Sequence, residues 1–412
     1  MSRFPKWERT HSHPFGKDIP SQRSSELFSS VTEEEKAHFF RLQGKRRTDN
    51  EFWAYDTTSI SSYSTALKQV RYGNNKDHEH LPQINLAMLF GEDSNLPFYY
   101  RKLAGNISDV KTVKNLLADM TQLGFSKVKL VMDRGFYSEE NINSLYQNHL
   151  KFLLAAKVSL KYVQKELNKV RDTMRTRINY NSSYQLYSHT TVIDWDYSQD
   201  RPYKKDTLHD KKRMYLHIYY NSEKAVENEN NFNAMLDQLE AELVSGKRNP
   251  EHEKQYVKYF EVNTTPIRGT QVTAKQEAIA KAEKDYGYFA LVSNEVKDPI
   301  RALEIYRNKD VVEKAFGNLK ERLNLRRTAV SSESALEGKL FVQFVALIIL
   351  SYIKKQMQTE NLFKTYTIQE VLDELDVIEC FEQPGYERRL GEVTKKQVAL
   401  YESLGVTSPS SL

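Results

Sequence analysis

Apolar and polar positions alternate along the chain in short blocks, each with a recognisable period. In SSVTEEEKAHFFRLQGKR, Thr32 at a cap position and Glu35 three residues later predict a helix opened by a capping box. EFWAYDTTSISSYS predicts a strand that reaches Asp56 and then gives way to small hydroxyl residues. QINLAMLFG and LPFYYRKLAG predict two further strands, separated by the turn-like GEDSN. In VKTVKNLLADMTQLGF, Val110, Val113, Leu116, Leu117 and Met120 recur at helical spacing, and Gly124 closes the helix. A buried strand at 128–132 follows, then a helix capped by Ser138, then the strand KFLLAAKV.

From about 160 to 290 the character changes. INYNSSYQLYSHTTVIDWDYS and RMYLHIYYN alternate as strands do, and YVKYFEVN and YGYFALVSN read as two more short strands. NSEKAVENENNFNAMLDQLEAELVSG reads as a polar, partly irregular lead into an amphipathic helix. Helical spacing returns from IRALEIYRN onward. The pattern predicts an α/β fold, a mixed sheet flanked by helices and interrupted by a β-rich insertion. The expected divisions are a short N-terminal segment (1–50), a first sheet segment (51–160), the insertion (161–290), returning helices (291–355) and a C-terminal helical region (356–412).

Composition narrows this picture. With 412 residues, 39% of them hydrophobic and 11% aromatic, the chain can build substantial cores. The longest apolar run, LFVQFVALIILSYI, carries Gln343 and is expected to be a buried helix too short for a bilayer, so no membrane partner is expected. The N-terminus lacks the apolar stretch of a secretory leader, and the single cysteine, Cys380, suits a reducing cytoplasm. The net charge of +5 says little, but residues 301–330 hold eight Lys or Arg against four acids, a local excess of +4 that could face phosphate.

Candidate chemistry centres on acids. Asp56 and Asp133 each end an apolar or aromatic stretch, at the kind of strand end where open α/β sheets bind ligands. Two carboxylates there could share a hard divalent cation, or each could simply cap the turn that follows. A third acid decides between these readings. Counting about 100° per residue from Tyr306, Lys309 falls near 300°, Glu313 near 340° and Lys320 near 320°, so a continuous helix would put all four in one stripe of roughly 60°. Val312, Phe316, Leu319 and Leu323 would form the adjoining apolar stripe. An ordinary surface face with a Lys309–Glu313 ion pair fits the same spacing. DHEH (77–80) reads as a solvated turn and GKRR (44–47) as a solvated charge run.

AYDTTS, MDRGFYS and YRNKDVVEKAFGNLK together resemble the insertion sequence 4 family of bacterial DDE transposases over about residues 50–400. That family carries Tyr, two residues, Arg, three residues, Glu, six residues, Lys; here the series is Tyr306, Lys309, Glu313, Lys320, with Lys in place of Arg. Lysine keeps the charge but loses the planar two-pronged grip on phosphate. The resemblance implies a ribonuclease H-like catalytic domain with a mainly β insertion, which suits the 180 residues between Asp133 and Glu313. It further implies that Asp56, Asp133 and Glu313 are catalytic and bind two Mg²⁺ or Mn²⁺ ions during in-line displacement at a DNA phosphate. Tyr306, Lys309 and Lys320 would then contact double-stranded DNA, Arg134 would either add a phosphate contact or stabilise its turn, and the protein would pair two transposon ends as a homodimer. Some relatives hold a flipped base with an aromatic near the place of Tyr288 and Phe289, but strand-core packing is the expected role of these two. A bacterial, nucleoid-associated location is expected. Roughly 55 residues precede Asp56, fewer than this family usually has, so a shortened, inactive DNA-binding remnant is the alternative expectation.

Overall fold

The structure is a computed structural model and describes residues 4–409, except 12, 14–18, 49, 202, 266–268, 329, 331, 384, 387 and 388. The chain forms two compact units, one from residues 1–132 with 307–412 and the other from 133–306. Eight strands carry the argument: β1 (Phe52–Ser62), β2 (Gln83–Gly91), β3 (Pro97–Ala104), β4 (Lys129–Met132), β5 (Lys151–Ala156), β6 (Leu186–Arg201), β7 (Asp206–Tyr220) and β8 (Tyr288–Ser293). The helices are α1 (Ser21–Ser30), α2 (Glu33–Gly44), α3 (Asp109–Leu123), α4 (Glu139–Gln147), α5 (Lys161–Met174), α6 (Ser222–Ser245), α7 (Pro299–Asn308), α8 (Asp310–Gly317) and α9 (Glu333–Thr359).

In the first unit the strand order is β3-β2-β1-β4, with β1, β2 and β3 antiparallel and β4 parallel to β1. This mixed sheet with flanking helices is compatible with the ribonuclease H-like fold that the resemblance implies. β2 is buried along its whole length, with its polar Gln83 and Asn85 hydrogen-bonded to each other and to the Gly105 carbonyl. Thr32 and Glu35 close the expected capping box on α2, and Gly124 ends α3 at φ 73°, a left-handed conformation that glycine adopts without strain.

β1 departs from expectation, because it runs straight through Asp56 to Ser62. Thr57, Thr58 and Ile60 are β-branched and favour the extended chain. The buried hydroxyls that follow find partners, Ser59 near Asn85, Ser61 accepting from Asn75 and Ser62 donating to the Thr328 carbonyl. Their small polar side chains therefore mark a satisfied interior, not a turn.

The apolar run near 340–353 is also more than expected. It lies within α9, which has 27 residues and is long and apolar enough to cross a membrane by length and composition. Here Leu336, Leu340, Phe344, Leu347 and Ile348 of α9 are buried, while Ile349 and Tyr352 are exposed. Gly338 lets α9 approach α1 closely, since a Cβ at that position would meet the Phe28 carbonyl.

The second unit has an antiparallel sheet in the order β5-β8-β7-β6, dominated by the long β6–β7 hairpin. The expected insertion at 161–290 lies within this unit and contains helices as well as strands. α6 is one continuous helix of 24 residues where an irregular lead was expected, and YVKY lies in a helix that ends at Tyr259, before the strand begins at Phe260. Leu239, Leu243, Tyr256, Tyr259, Phe260 and Ile279 close a separate small core there.

Candidate functional site

Asp56 sits in mid-strand on β1, opposite Met88 of β2, and its side chain is only 17% exposed. Its Oδ1 accepts the Thr57 backbone N–H at 2.7 Å. Burial raises its pKa above the ordinary carboxylate range, opposed by Lys76, the Thr57 N–H and Lys309. A carboxylate kept inside a sheet against its own desolvation is a functional-site signal of moderate strength.

Two residues near Asp56 were not singled out in the sequence. Lys76 donates to the Thr57 carbonyl and hydroxyl, each at 2.7 Å, and its Nζ lies 3.5 Å from Asp56 and 3.2 Å from Asp109. Asp109, in the first turn of α3, also accepts from the Thr57 hydroxyl. Lys76 lies in the irregular stretch RYGNNKDHEH, where no period points to it. Asp109 looks like an ordinary first-turn acid.

The region around Glu313 is broken where one regular helix was expected. α7 ends at Asn308, α8 begins at Asp310, and a π-helical turn covers Asn318–Arg322. A uniform 100° count therefore fails across these residues, and π turns of this kind occur frequently at functional sites. Val312, Phe316 and Leu319 are buried as the apolar stripe requires. Lys309 is buried and donates to Glu313 Oε1 at 2.8 Å, whereas the Glu313 side chain is 55% exposed. Lys309 thus joins the two acids of the first unit electrically, bonding Glu313 and stabilising ionised Asp56. The simple i,i+4 pair is present, and it has a buried lysine.

Lys320 is taken by Asp77 at 2.7 and 2.8 Å, and Arg327 by Glu79 at 2.8 Å, so the acids of DHEH anchor basic residues of the returning segment. His78 and His80 are exposed. In GKRR, Arg47 donates to the Ser126 carbonyl and lies 6.0 Å from the Trp53 ring centre.

In the second unit, Asp133 caps a short 3₁₀ turn, accepting the Arg134 N–H at 2.7 Å, and it also accepts the Tyr306 hydroxyl at 2.7 Å. Arg134 is exposed. Phe289 stacks on Tyr219 with ring centres 4.7 Å apart, and Tyr288 packs on Tyr220 at 4.9 Å, so both rings are held in the sheet.

The carboxylate chemistry of Asp56, Asp133 and Glu313 suits a hard divalent cation, and a desolvated Asp56 has reason to attract one. The fit is one of donor type. Each acid has a cationic or phenolic partner, and among the described residues no group of three or more His, Cys, Asp or Glu is placed to hold a metal ion.

Residues 47–349 match the family described as the transposase DDE domain. The chain belongs to that family. No curated protein sequence matches it. Among solved structures, it is similar to a piggyBac transposase in a synaptic complex with hairpin DNA, at 10% identity and a TM-score of 0.41. The likeness covers 82% of this chain and 54% of that one, so the chain spans about half the length of that transposase.

Proposed function

We propose that this chain is a DNA transposase of the insertion sequence 4 type, cutting at transposon ends and joining them to target DNA. The observation that carries the reading is Asp56, a largely desolvated carboxylate in mid-strand whose charge is favoured by Lys309, itself bonded to Glu313, within a transposase DDE domain. Such an arrangement costs stability and is hard to explain as packing alone. In this reading Asp56, Asp133 and Glu313 hold two Mg²⁺ or Mn²⁺ ions, which supply Lewis-acid activation at the phosphodiester. Lys76 and Lys309 stand at these carboxylates in the free protein and give way when metal and DNA enter. Tyr306, Lys309, Lys320 and Arg134 position the DNA backbone, the lysines after leaving their carboxylate partners. Pairing of two ends calls for a homodimer on DNA.

A second reading is favoured by the partners just described. If the Lys–acid and Tyr–acid contacts are permanent, the chain is a DNA-binding remnant without catalysis. Cleavage of DNA carrying the element's terminal repeats, assayed with Mg²⁺ and with EDTA, separates the two. Active wild type should lose at least about a hundredfold with Asp56→Asn or Glu313→Gln, exceeding the 10–100-fold typical of removing a residue that only supports a ligand. Equal inactivity of wild type and variants, with DNA binding retained, would leave the remnant reading standing.

A further inference from the structure

Half of the positive excess of residues 301–330 is met by acids from elsewhere in the chain, Asp77 and Glu79, and three further bases pair with acids of the segment itself. Arg301 pairs with Glu304, Lys309 with Glu313, Lys320 with Asp77, Arg326 with Glu321 and Arg327 with Glu79. Lys314 and Arg322 have no ion-pair partner among the described residues. Lys314 lines a cavity of about 170 Å³ in the first unit, and Lys354 and Lys355 of α9 line it too. None of the described residues lining the cavity is acidic.

The seam between two packed helices is ordinarily apolar, because that is where each buries its hydrophobic stripe. Here lysines and amides share the lining with Phe90, Val311 and Ala315. Lys314 and Asn318 stand four residues apart on one wall, and Lys354, Lys355 and Gln358 repeat the helical interval on the other. Lys355 donates to the Asp93 carbonyl at 2.9 Å, while Lys354 makes no ion pair among the described residues. Burial, with Lys314 and Arg322 close by, depresses the Lys354 pKa, so the free protein holds converging like charges at a cost that an anion would remove.

We infer that this cavity is a phosphate-binding groove for the backbone of DNA, separate from the contacts expected of Tyr306, Lys309 and Lys320. Lysines supply point charges and the amides of Asn318 and Gln358 supply directional donors, a combination suited to phosphodiester oxygens. Lys314 directly follows Glu313 in α8 and points about 100° away from it, so the groove lies on another face of that helix from the acid assigned to cleavage. The choice of DNA as the occupant rests on the proposed transposase function.

The test measures affinity for linear duplex DNA in EDTA across a salt series, which removes cleavage from the readout. Lys314→Gln with Lys354→Gln should reduce the slope of log affinity against log salt by about two, at roughly 0.9 per lost phosphate contact, and weaken binding at least about tenfold at moderate salt. Lys314→Arg with Lys354→Arg should retain the slope, and thermal melting verifies that each variant is folded. An unchanged slope in the folded glutamine variant overturns the inference, as does pyrophosphate binding through these lysines with DNA affinity unaffected. Cleavage is scored separately in Mg²⁺. A chain with a lysine-dependent slope that never cuts keeps this inference and loses the catalytic reading, whereas a chain that cuts with an unaltered slope does the reverse.

Discussion

Asp56 holds its proton more tightly in the folded protein than in the unfolded chain, because burial raises its pKa. Between the ordinary carboxylate range and that raised value the native state binds more protons, so stability falls as pH rises through the window and the loss persists at neutral pH. Asp56→Asn keeps the acceptor for the Thr57 N–H and removes the charge. In metal-free buffer at pH 7 it should melt higher than wild type, by an amount on the order of 2 °C, and this advantage should shrink as pH is lowered into the carboxylate range. Melting curves at several pH values in EDTA check this; a lower melting temperature at every pH would show that Lys76 and Lys309 outweigh desolvation. At this scale Asp56, Asp133 and Glu313 stood out in the sequence as candidates, each with a turn-capping or ion-pair alternative that spacing alone left open. Lys76 and Asp109 were not, since an ammonium in an irregular loop and an acid in a first helical turn have no pattern that points inward.

Elements with a clean period were legible almost to the residue. The capping box of α2, the Gly124 stop of α3 and the buried strand β2 each follow from a local rule. Two elements misled because tertiary partners decided them. β1 continues past Asp56 because Asn75, Asn85 and the Thr328 carbonyl satisfy its hydroxyls, and those partners come from elsewhere in the chain. The segment 306–322 keeps the residue order of the family signature but not a single helical phase, since α7, α8 and a π turn divide it. Helix contact also supplies a stability contrast. Gly338→Ala places a Cβ against the Phe28 backbone and should cost about 1–3 kcal/mol as an overpacking change. Gly124→Ala meets no neighbour within 4 Å and should cost only about 1 kcal/mol through its left-handed φ of 73°. Urea denaturation of both variants checks the order, which reverses if α1 and α9 separate easily.

Over the whole chain, the local rules converge on an α/β protein, and the transposase DDE domain spans residues 47–349. The change of composition near 160 falls inside a compact unit whose first residue is Asp133, because residues such as those of α4 and β5 keep the character of the preceding segment. Net charge proved a poor guide until ion pairs were assigned. Among the described residues of 301–330, once Asp77, Glu79 and Glu313 are matched to their bases, Lys314 and Arg322 have no ion-pair partner, and both lie near Lys354. In the proposed transposase, carboxylates held by lysine and tyrosine in the free protein exchange those partners for divalent metal. Counting bound Mn²⁺ by electron paramagnetic resonance, with duplex DNA present, tests it without requiring knowledge of the terminal repeats. Two ions per chain are expected in wild type and fewer in each of Asp56→Asn, Asp133→Asn and Glu313→Gln. No bound Mn²⁺ in wild type, or the same count in all four proteins, would contradict the proposal.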